Sequence, residues 1–319
     1  MDPHKNCAFG CIMGLLCGDA AGATLEFQHK AITQRDVEVA MKMPGGGVMR
    51  VGPGQFTDDS ELAISLASAL ADRRPAAGFP LAKVAEKYHV WYKSHPFDIG
   101  TTCSRAFQHN TASKMMEVAS LNNSEANGAL MRIAPLAVWC SHESEDMIVA
   151  YAKKDAKLSH GSQVCQDCNA VFCIAIAYLI LHPGDHVGAL RRVETFVNAH
   201  VFSDVHHWFL FDSLDVIDLD CRKNIGHVRY GFTLAMWCLR NAIPYEDAIK
   251  MTLLKGGDTD TNAAIVGALM GALHGMDTIP EYMVTPVLEF NPLTNVNGHV
   301  RPIVYSSMET LRLIPRLLK

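Results

Sequence analysis

The sequence predicts an all-α protein, because apolar residues recur at helical spacing along most of the chain and no strand pattern persists. Six segments show that spacing: 60–72, 81–92, 164–181, 228–239, 245–253 and 262–274. No stretch alternates polar and apolar residues for long, and no Asn-Gly turn joins two β-rich runs. No internal repeat or long interior linker divides the chain. We therefore predict one compact helical domain over residues 1–319.

The composition is that of a globular protein able to bury one large core or two modest ones. The chain has 319 residues, of which 49% are hydrophobic and 19% are charged, with a formal net charge of −5. These values exclude disorder as the main state, and the lack of a lysine or arginine block argues against general nucleic-acid binding. No signal peptide opens the sequence, and the apolar segment 8–25 contains Asp19 and four glycines. We expect a cytoplasmic monomer with no membrane association.

Two of the helical segments carry glycine at every fourth position. The first set lies before residue 23 and the second lies in the segment 262–274 and just after it: Gly10, Gly14, Gly18, Gly22; Gly267, Gly271, Gly275. This spacing aligns the glycines along one helix face, although each interior glycine costs a helix about 0.5–1 kcal/mol relative to alanine. Close packing against another helix explains that cost, so we expect both helices near the centre of the domain.

The strongest local signal is an acidic motif at residues 54–61, where Thr57, Asp58 and Asp59 open an amphipathic segment. Thr57 or Asp58 is a natural helix N-cap, and acids in the first turn favour the helix dipole. A cap alone, however, needs only one acid. A hydroxyl followed by two carboxylates also offers the hard oxygen ligands that Mg²⁺ and Mn²⁺ prefer. This motif by itself leaves capping and metal binding both open.

A second acidic motif of the same design opens the last glycine-rich helix. In residues 255–261, a glycine pair is followed by Asp258, Asp260 and the hydroxyl of Thr261. Two such motifs, each opening a buried helix, would leave several carboxylates close together, and divalent cations would balance their charge. The two motifs together favour metal binding over capping.

Two further acids are associated with the first glycine-rich helix. Asp19 lies inside this apolar helix and needs a partner. Glu26 follows the helix and is either a solvated helix end or a residue that faces the site.

Two other patterns are weaker signals of function. Cys165 and Cys168 form a lone Cys-X-X-Cys pair, for which structural thiols are favoured over a zinc or redox site. The glycine-rich segment 44–54 lacks the ending of a phosphate-binding loop.

Four separated motifs resemble, in the same order, those of the ADP-ribosylglycohydrolase family. They are residues 14–26, 56–60, 127–136 and 256–264. The resemblance implies a compact orthogonal helical bundle around a binuclear site that holds two Mg²⁺ or Mn²⁺ ions. It also implies hydrolysis of the bond that joins ADP-ribose to a modified group, with an ADP-ribosylated protein or ADP-ribose as the ligand.

The resemblance also assigns roles to individual residues. The metal site is implied to comprise Thr57, Asp58, Asp59, Asp258, Asp260 and Thr261. The catalytic group is implied to comprise Glu26, Asp98 and Asp59, with Glu26 or Asp98 as the base or as the group that stabilises an oxocarbenium-like state. Contacts to phosphate, ribose and adenine are implied for Gly100, Thr101, Thr102, Ser124, Asn127, Gly128, His160 and His227. His227 stands where the family often has tyrosine, and it offers the adenine a smaller face.

The predicted function is metal-dependent release of ADP-ribose from a modified protein side chain. The segment 96–102 is similar to that of the arginine-specific branch, so arginine is the expected acceptor. Serine, a nucleobase or a small ADP-ribosyl compound remains open as the acceptor. Two different functions also stay open: that of a non-catalytic ADP-ribose-binding or structural member of the fold, and that of a metal hydrolase acting on a nucleotide phosphate or a free ribosyl compound.

Overall fold

The computed structural model describes residues 1–28, 30–294 and 298–319, and these residues form sixteen α-helices with no strand among them. The helices are α1 (Pro3–Gly22), α2 (Gln34–Ala40), α3 (Asp58–Leu70), α4 (Leu81–Lys93), α5 (Thr101–Phe107), α6 (Ala112–Ser120), α7 (Ala134–Trp139), α8 (Glu145–Ala156), α9 (Gln163–Leu181), α10 (His186–His200), α11 (Asp204–Leu210), α12 (Val228–Arg240), α13 (Tyr245–Leu254), α14 (Thr259–His274), α15 (Glu281–Glu289) and α16 (Ser307–Leu317). The all-α prediction is confirmed. All six periodic segments are helices, and α14 begins three residues before its predicted start.

Helices α1 and α14 form the central contact of the fold, and they run antiparallel with their glycine faces together. A Cβ added to Gly14 would lie 2.3 Å from the carbonyl oxygen of Gly267, and one added to Gly271 would lie 1.9 Å from that of Gly10. The backbones therefore approach more closely than any side chain would allow. The expected position of both helices in the centre of the domain is confirmed, since every residue of α14 from Thr259 to Leu273 is buried.

Helix α9 completes the core on another side of α14. It is long and apolar enough to cross a membrane by length and composition, and 89% of its apolar window is buried inside the protein. Its Cys165 Sγ lies 3.4 Å from the carbonyl oxygen of Ala126. All ten cysteines are buried and free, which agrees with their interpretation as small apolar residues.

A segment near the C-terminus holds α3 against α4. Arg301 makes two charge-assisted hydrogen bonds to Glu61 of α3, at 2.8 Å from Nε and 2.7 Å from Nη2. Trp91 of α4 donates to the same carboxylate at 2.7 Å. Such a buried, two-pronged ion pair fixes orientation as well as distance. These contacts hold the first turns of α3 against α4 and the C-terminal segment.

Candidate functional site

The two predicted acidic motifs meet at one place, where the C-terminus of α1 and the N-termini of α3 and α14 converge. The glycine contacts create this meeting point: a Cβ on Gly18 would lie 2.1 Å from the carbonyl oxygen of Ala263, and one on Gly22 would lie 2.4 Å from the backbone of Asp260. Asp19 is consequently brought beside the second acidic motif, although 241 positions separate it from Asp260 in the sequence.

The first set of acids, called here the inner carboxylate group, comprises Asp19, Asp59 and Asp260. All three side chains are buried, and each offers an oxygen within 4.8 Å of the others. The hydroxyl of Thr57 lies among them, at 2.9 Å from Asp19 Oδ1, 3.1 Å from Asp59 Oδ2 and 3.4 Å from Asp260 Oδ2. One Asp59 oxygen, Oδ1, is buried with no hydrogen-bond partner.

Asp19 is the residue of this group that the predicted metal set did not contain. Its carboxylate accepts hydrogen bonds from the backbone N–H groups of Thr57 and Ser60, at 2.9 and 3.0 Å, and from the Ser60 hydroxyl at 2.5 Å. A side chain of α1 thus caps α3, a role for which Thr57 and Asp58 were the candidates in the sequence. The sequence did carry a signal for Asp19: a charged residue inside an apolar helix needs a polar partner.

Helix capping does not account for the acids of the two motifs. Thr57 and Asp258 occupy the N-cap positions of α3 and α14, and neither makes a side-chain capping hydrogen bond. Asp258 instead accepts a hydrogen bond from the Asn127 amide at 2.8 Å, and Asp58 accepts one from the backbone N–H of Gly100 at 3.4 Å. The carboxylates are therefore held in place by loops from elsewhere in the chain.

The second set of acids, called here the outer carboxylate group, comprises Glu26, Asp98 and Asp260, whose oxygens also lie within 4.8 Å of one another. It opens on a cleft of about 410 Å³. The cleft is lined by Glu26, Phe27, Asp58, Asp98, Ile99, Gly100, Thr101, Thr102, Cys103, Ala126, Asn127, Gly128, Met131, His160, Ile225, Gly226, Asp258, Asp260 and Thr261. None of these lining residues is a lysine or an arginine, so the cleft wall carries negative charge without a cationic side chain to balance it.

Burial and this uncompensated charge together raise the pKa of the acids. Burial, followed by the charges of Asp258 and Asp98, raises the pKa of Glu26 to about 9. Burial, followed by the charge of Asp258, raises the pKa of Asp98 to about 6. Burial and neighbouring carboxylates also hold the pKa values of Asp59 and Asp260 well above the usual range of an aspartate.

The donor set fits hard divalent cations. Its ligand atoms are carboxylate and hydroxyl oxygens, which Mg²⁺ and Mn²⁺ prefer over nitrogen or sulfur. Asp59 Oδ1 and Glu26 Oε2 are buried and lack any protein partner, so each has coordination capacity that the fold leaves unused. Cations bound at the two carboxylate groups would satisfy these atoms and balance the charge that, together with burial, raises the pKa of the acids.

Most of the predicted ligand contacts line the cleft. Its wall includes Gly100, Thr101, Thr102, Asn127, Gly128 and His160, all of which the family resemblance implies for ligand binding. Their roles as ligand contacts stay predictions. Met131, from the motif 127–136, also lines the cleft. Phe27, Cys103 and Ile225 line it as well, and no motif in the sequence pointed to these three.

Ser124 and His227 lie beside the cleft and do not line it. Ser124 Oγ is 2.9 Å from the hydroxyl of Thr102, which makes it a support for a lining residue. His227 Nε2 pairs with Glu125 at 3.2 Å, and its Nδ1 accepts the backbone N–H of Arg229 at 3.1 Å. Both ring nitrogens are therefore engaged within the protein. The predicted contact of adenine with a face of the His227 ring stays a prediction.

Known proteins that are similar to this chain belong to the family that its sequence motifs resemble. A family model described as ADP-ribosylglycohydrolase matches residues 2–309. The chain is 28% identical over 275 residues to an ADP-ribosyl-[dinitrogen reductase] glycohydrolase of Rhodospirillum rubrum, covering 86% of this chain and 87% of that protein. It is 28% identical over 295 residues to an ADP-ribosylarginine hydrolase of Pseudomonas putida, covering 88% and 74%. A solved structure of an ADP-ribosylglycohydrolase-related protein complex shares the fold, with a TM-score of 0.77, 22% identity and coverage of 100% and 99%.

Proposed function

Because the chain belongs to the ADP-ribosylglycohydrolase family and is therefore a hydrolase of glycosyl bonds, we propose that it releases ADP-ribose from modified arginine side chains of proteins with the help of divalent cations. The observation that carries the proposal is the sharing of Asp260 between the inner and outer carboxylate groups at the floor of the cleft. A pair of cations at these groups would have one common ligand.

The residues that would hold the cations are Thr57, Asp58, Asp59, Asp258, Asp260 and Thr261, together with Asp19. When bound, the cations supply positive charge that orients the ribose hydroxyls and acidifies water. Magnesium and manganese both fit an oxygen donor set of this kind, and cation binding requires the acids to give up their protons.

The catalytic carboxylates are proposed to be Glu26 and Asp98, which both line the cleft. Cleavage of the glycosidic bond places positive charge on the ribose ring while water attacks the anomeric carbon. An ionised carboxylate beside the ring stabilises that charge, and a second one accepts the proton of the attacking water. The raised pKa of Asp98, about 6, matches a base that works near neutral pH, whereas Glu26 holds its proton more strongly.

The rest of the ADP-ribose is proposed to lie along the neutral side of the cleft. Gly100, Thr101, Thr102 and Gly128 line this part of the cleft, whose lining has no cationic side chain, and we propose that their backbone N–H groups and hydroxyls bind the pyrophosphate. Backbone donors of this kind bind phosphate oxygens without a full charge. They offset the repulsion that the nearby acids would exert on a pyrophosphate.

Arginine is proposed as the acceptor because two features favour it. The segment 96–102 is similar to that of arginine-specific members, and one relative, that of Pseudomonas putida, is named an ADP-ribosylarginine hydrolase. An acidic cleft also suits the guanidinium group that hydrolysis releases. The chain is further proposed to act as a cytoplasmic monomer, which cell fractionation and light scattering would test.

The decisive experiment compares two matched peptides, one ADP-ribosylated on arginine and one on serine, each with Mg²⁺, with Mn²⁺ and with EDTA. We expect release of ADP-ribose from the arginine peptide with either metal, and loss of release in EDTA. Release from the serine peptide alone would overturn the acceptor, and equal release in EDTA would overturn the metal dependence. Release from neither peptide, with ADP-ribose still bound, would favour another acceptor first and a non-catalytic binder second.

A further inference from the structure

A chain of buried polar residues lies behind the neutral side of the cleft, and the proposed catalytic steps do not use it. At its centre is Arg132, whose side chain has no exposed surface. Its Nε lies 3.2 Å from Asp155 Oδ2 and 3.0 Å from the hydroxyl of Tyr88, and its Nη2 donates to the carbonyl oxygen of Asp155 at 3.1 Å. The guanidinium is therefore fixed on one side by Asp155 and Tyr88.

The other side of the guanidinium faces the cleft wall. Arg132 Nη1 donates to the carbonyl oxygen of Gly128 at 2.6 Å and to Ser159 Oγ at 2.9 Å. Ser159 Oγ in turn lies 2.8 Å from His160 Nδ1. A single hydrogen-bonded path thus runs from the buried arginine to a histidine that lines the cleft.

The direction of the bond between Ser159 and His160 follows from the strength of the acceptors near the Ser159 hydroxyl. An arginine has only donors, so Ser159 Oγ must accept from Arg132 and keeps one proton to donate. Two groups are within reach of that proton: His160 Nδ1, and the thiol of Cys103, which is a weak acceptor. The hydroxyl therefore donates to His160 Nδ1.

The opposite atom of the ring, His160 Nε2, is buried and has no partner in the protein. It faces Gly128 in the cleft wall, where an added Cβ would lie 3.6 Å from Nε2. Burial and the nearby Arg132 lower the pKa of His160 to about 3, so the ring is neutral at physiological pH. A neutral imidazole has one proton, and with Nδ1 accepting, that proton lies on Nε2.

We propose that Arg132 and Ser159 are positioning residues that hold His160 in the Nε2–H tautomer, so that it donates a hydrogen bond to an anionic oxygen of the ligand in the cleft. The identity of that ligand as the pyrophosphate of ADP-ribose rests on the proposed function. The tautomer itself is a property of the free protein. In the other tautomer, Nε2 would present a lone pair and would repel the same oxygen.

The first test needs no substrate. NMR of the free protein labelled with ¹⁵N-histidine reports through long-range proton couplings which ring nitrogen carries the proton, and His160→Gln assigns the signal by its disappearance. We expect Nε2–H for His160 in the wild type, and a mixture of tautomers in Ser159→Ala. A proton on Nδ1 in the wild type would overturn the proposal, whether or not the protein hydrolyses any ADP-ribosyl bond.

The second test measures affinity for free ADP-ribose by calorimetry, together with KM and kcat. We expect Ser159→Ala to weaken affinity and raise KM about tenfold, the scale of one hydrogen bond to a charged group, with kcat much less affected. Ser159→Thr, which keeps the hydroxyl, is the matched control and should retain wild-type affinity. A folded Ser159→Ala variant with a changed tautomer and unchanged affinity would overturn the role in ligand binding. If the alanine variant does not fold, the wild-type tautomer decides the proposal.

Discussion

Asp260 occupies the most crowded position of the site, because it belongs to both carboxylate groups. Burial raises its pKa most, and the neighbouring charges of Glu26, Asp258, Asp59 and Asp98 raise it further. Such a residue lowers the stability of the metal-free protein and raises its affinity for cations. Its substitution should therefore change stability and activity in opposite directions.

We expect Asp260→Asn to lower kcat/KM by at least about 100-fold, because loss of even an outer-shell group costs about 10–100-fold. Its affinity for Mn²⁺ should fall, while its melting temperature in EDTA should rise, because one buried charge is removed. Assays of release, calorimetry and thermal unfolding give the three values. Asp277→Asn, at an exposed acid outside the site, is the control and should behave like the wild type. Full turnover in Asp260→Asn would contradict a shared metal ligand.

Glu26 tests the catalytic assignment, because its Oε2 is buried without a partner and faces no cationic side chain. We expect Glu26→Gln, which keeps the shape and removes the charge, to lower kcat much more than the affinity for ADP-ribose. Single-turnover release and calorimetry separate the two quantities. Glu281→Gln, an exposed helix-end acid, is the control. Equal losses in kcat and affinity would make Glu26 a binding or structural residue.

At the scale of elements, the contact between α1 and α14 decides where the site forms. The glycine faces allow the two backbones to approach, and the antiparallel direction places the C-terminal end of α1 against the N-terminal end of α14. Asp19 caps α3 from this position, so the three helix ends depend on one another. The carboxylates of the inner group are thereby held together although the acids repel one another.

We expect Gly14→Ala to destabilise the fold by about 3 kcal/mol or more, because its Cβ would lie 2.3 Å from the carbonyl oxygen of Gly267 and backbone cannot yield as a side chain can. The free energy of unfolding in urea measures the effect. Gly100→Ala is the stability control, because its added Cβ meets no atom within 4 Å. Similar unfolding free energies for the two variants would contradict the close approach of α1 and α14.

For the whole molecule, the clustered acids make stability depend on pH and on cations. The pKa of Glu26 rises from 4.5 to about 9 on folding, and burial raises that of Asp19 from 3.8 to about 7. The folded state therefore binds more protons than the unfolded state across the intervening pH range. Stability falls as pH rises through that range, because ionisation of these acids is unfavourable only in the folded protein.

We expect the melting temperature in EDTA to fall between about pH 7.5 and about 9, a range in which histidines of ordinary pKa have mostly lost their proton. Mg²⁺ should stabilise the protein by an amount that grows with pH, because the cations compete with protons for the same oxygens. Thermal melts across this range, with EDTA or with MgCl₂, measure both effects. Parallel curves in the two conditions would contradict cation binding by the clustered acids.

Local patterns in the sequence were sufficient for the fold class and for most of the acids. Helical periodicity, glycine spacing and the acid-rich starts of α3 and α14 depend on residues within a few positions of one another. The sequence therefore indicated which helices exist and which of them begin with possible metal ligands. The resemblance added Asp98 and the residues around Gly100 and Gly128, which local chemistry alone did not identify.

Tertiary structure decided which of these residues share a site. Nothing near Asp19 in the sequence indicates that it caps a helix 38 positions away, and nothing near His227 indicates that its ring pairs with Glu125. The sharing of Asp260 by both carboxylate groups and the path from Arg132 to His160 depend likewise on helix packing. The physical reason is that side-chain contacts between distant segments follow from the distances and directions of packed helices, which no single segment encodes.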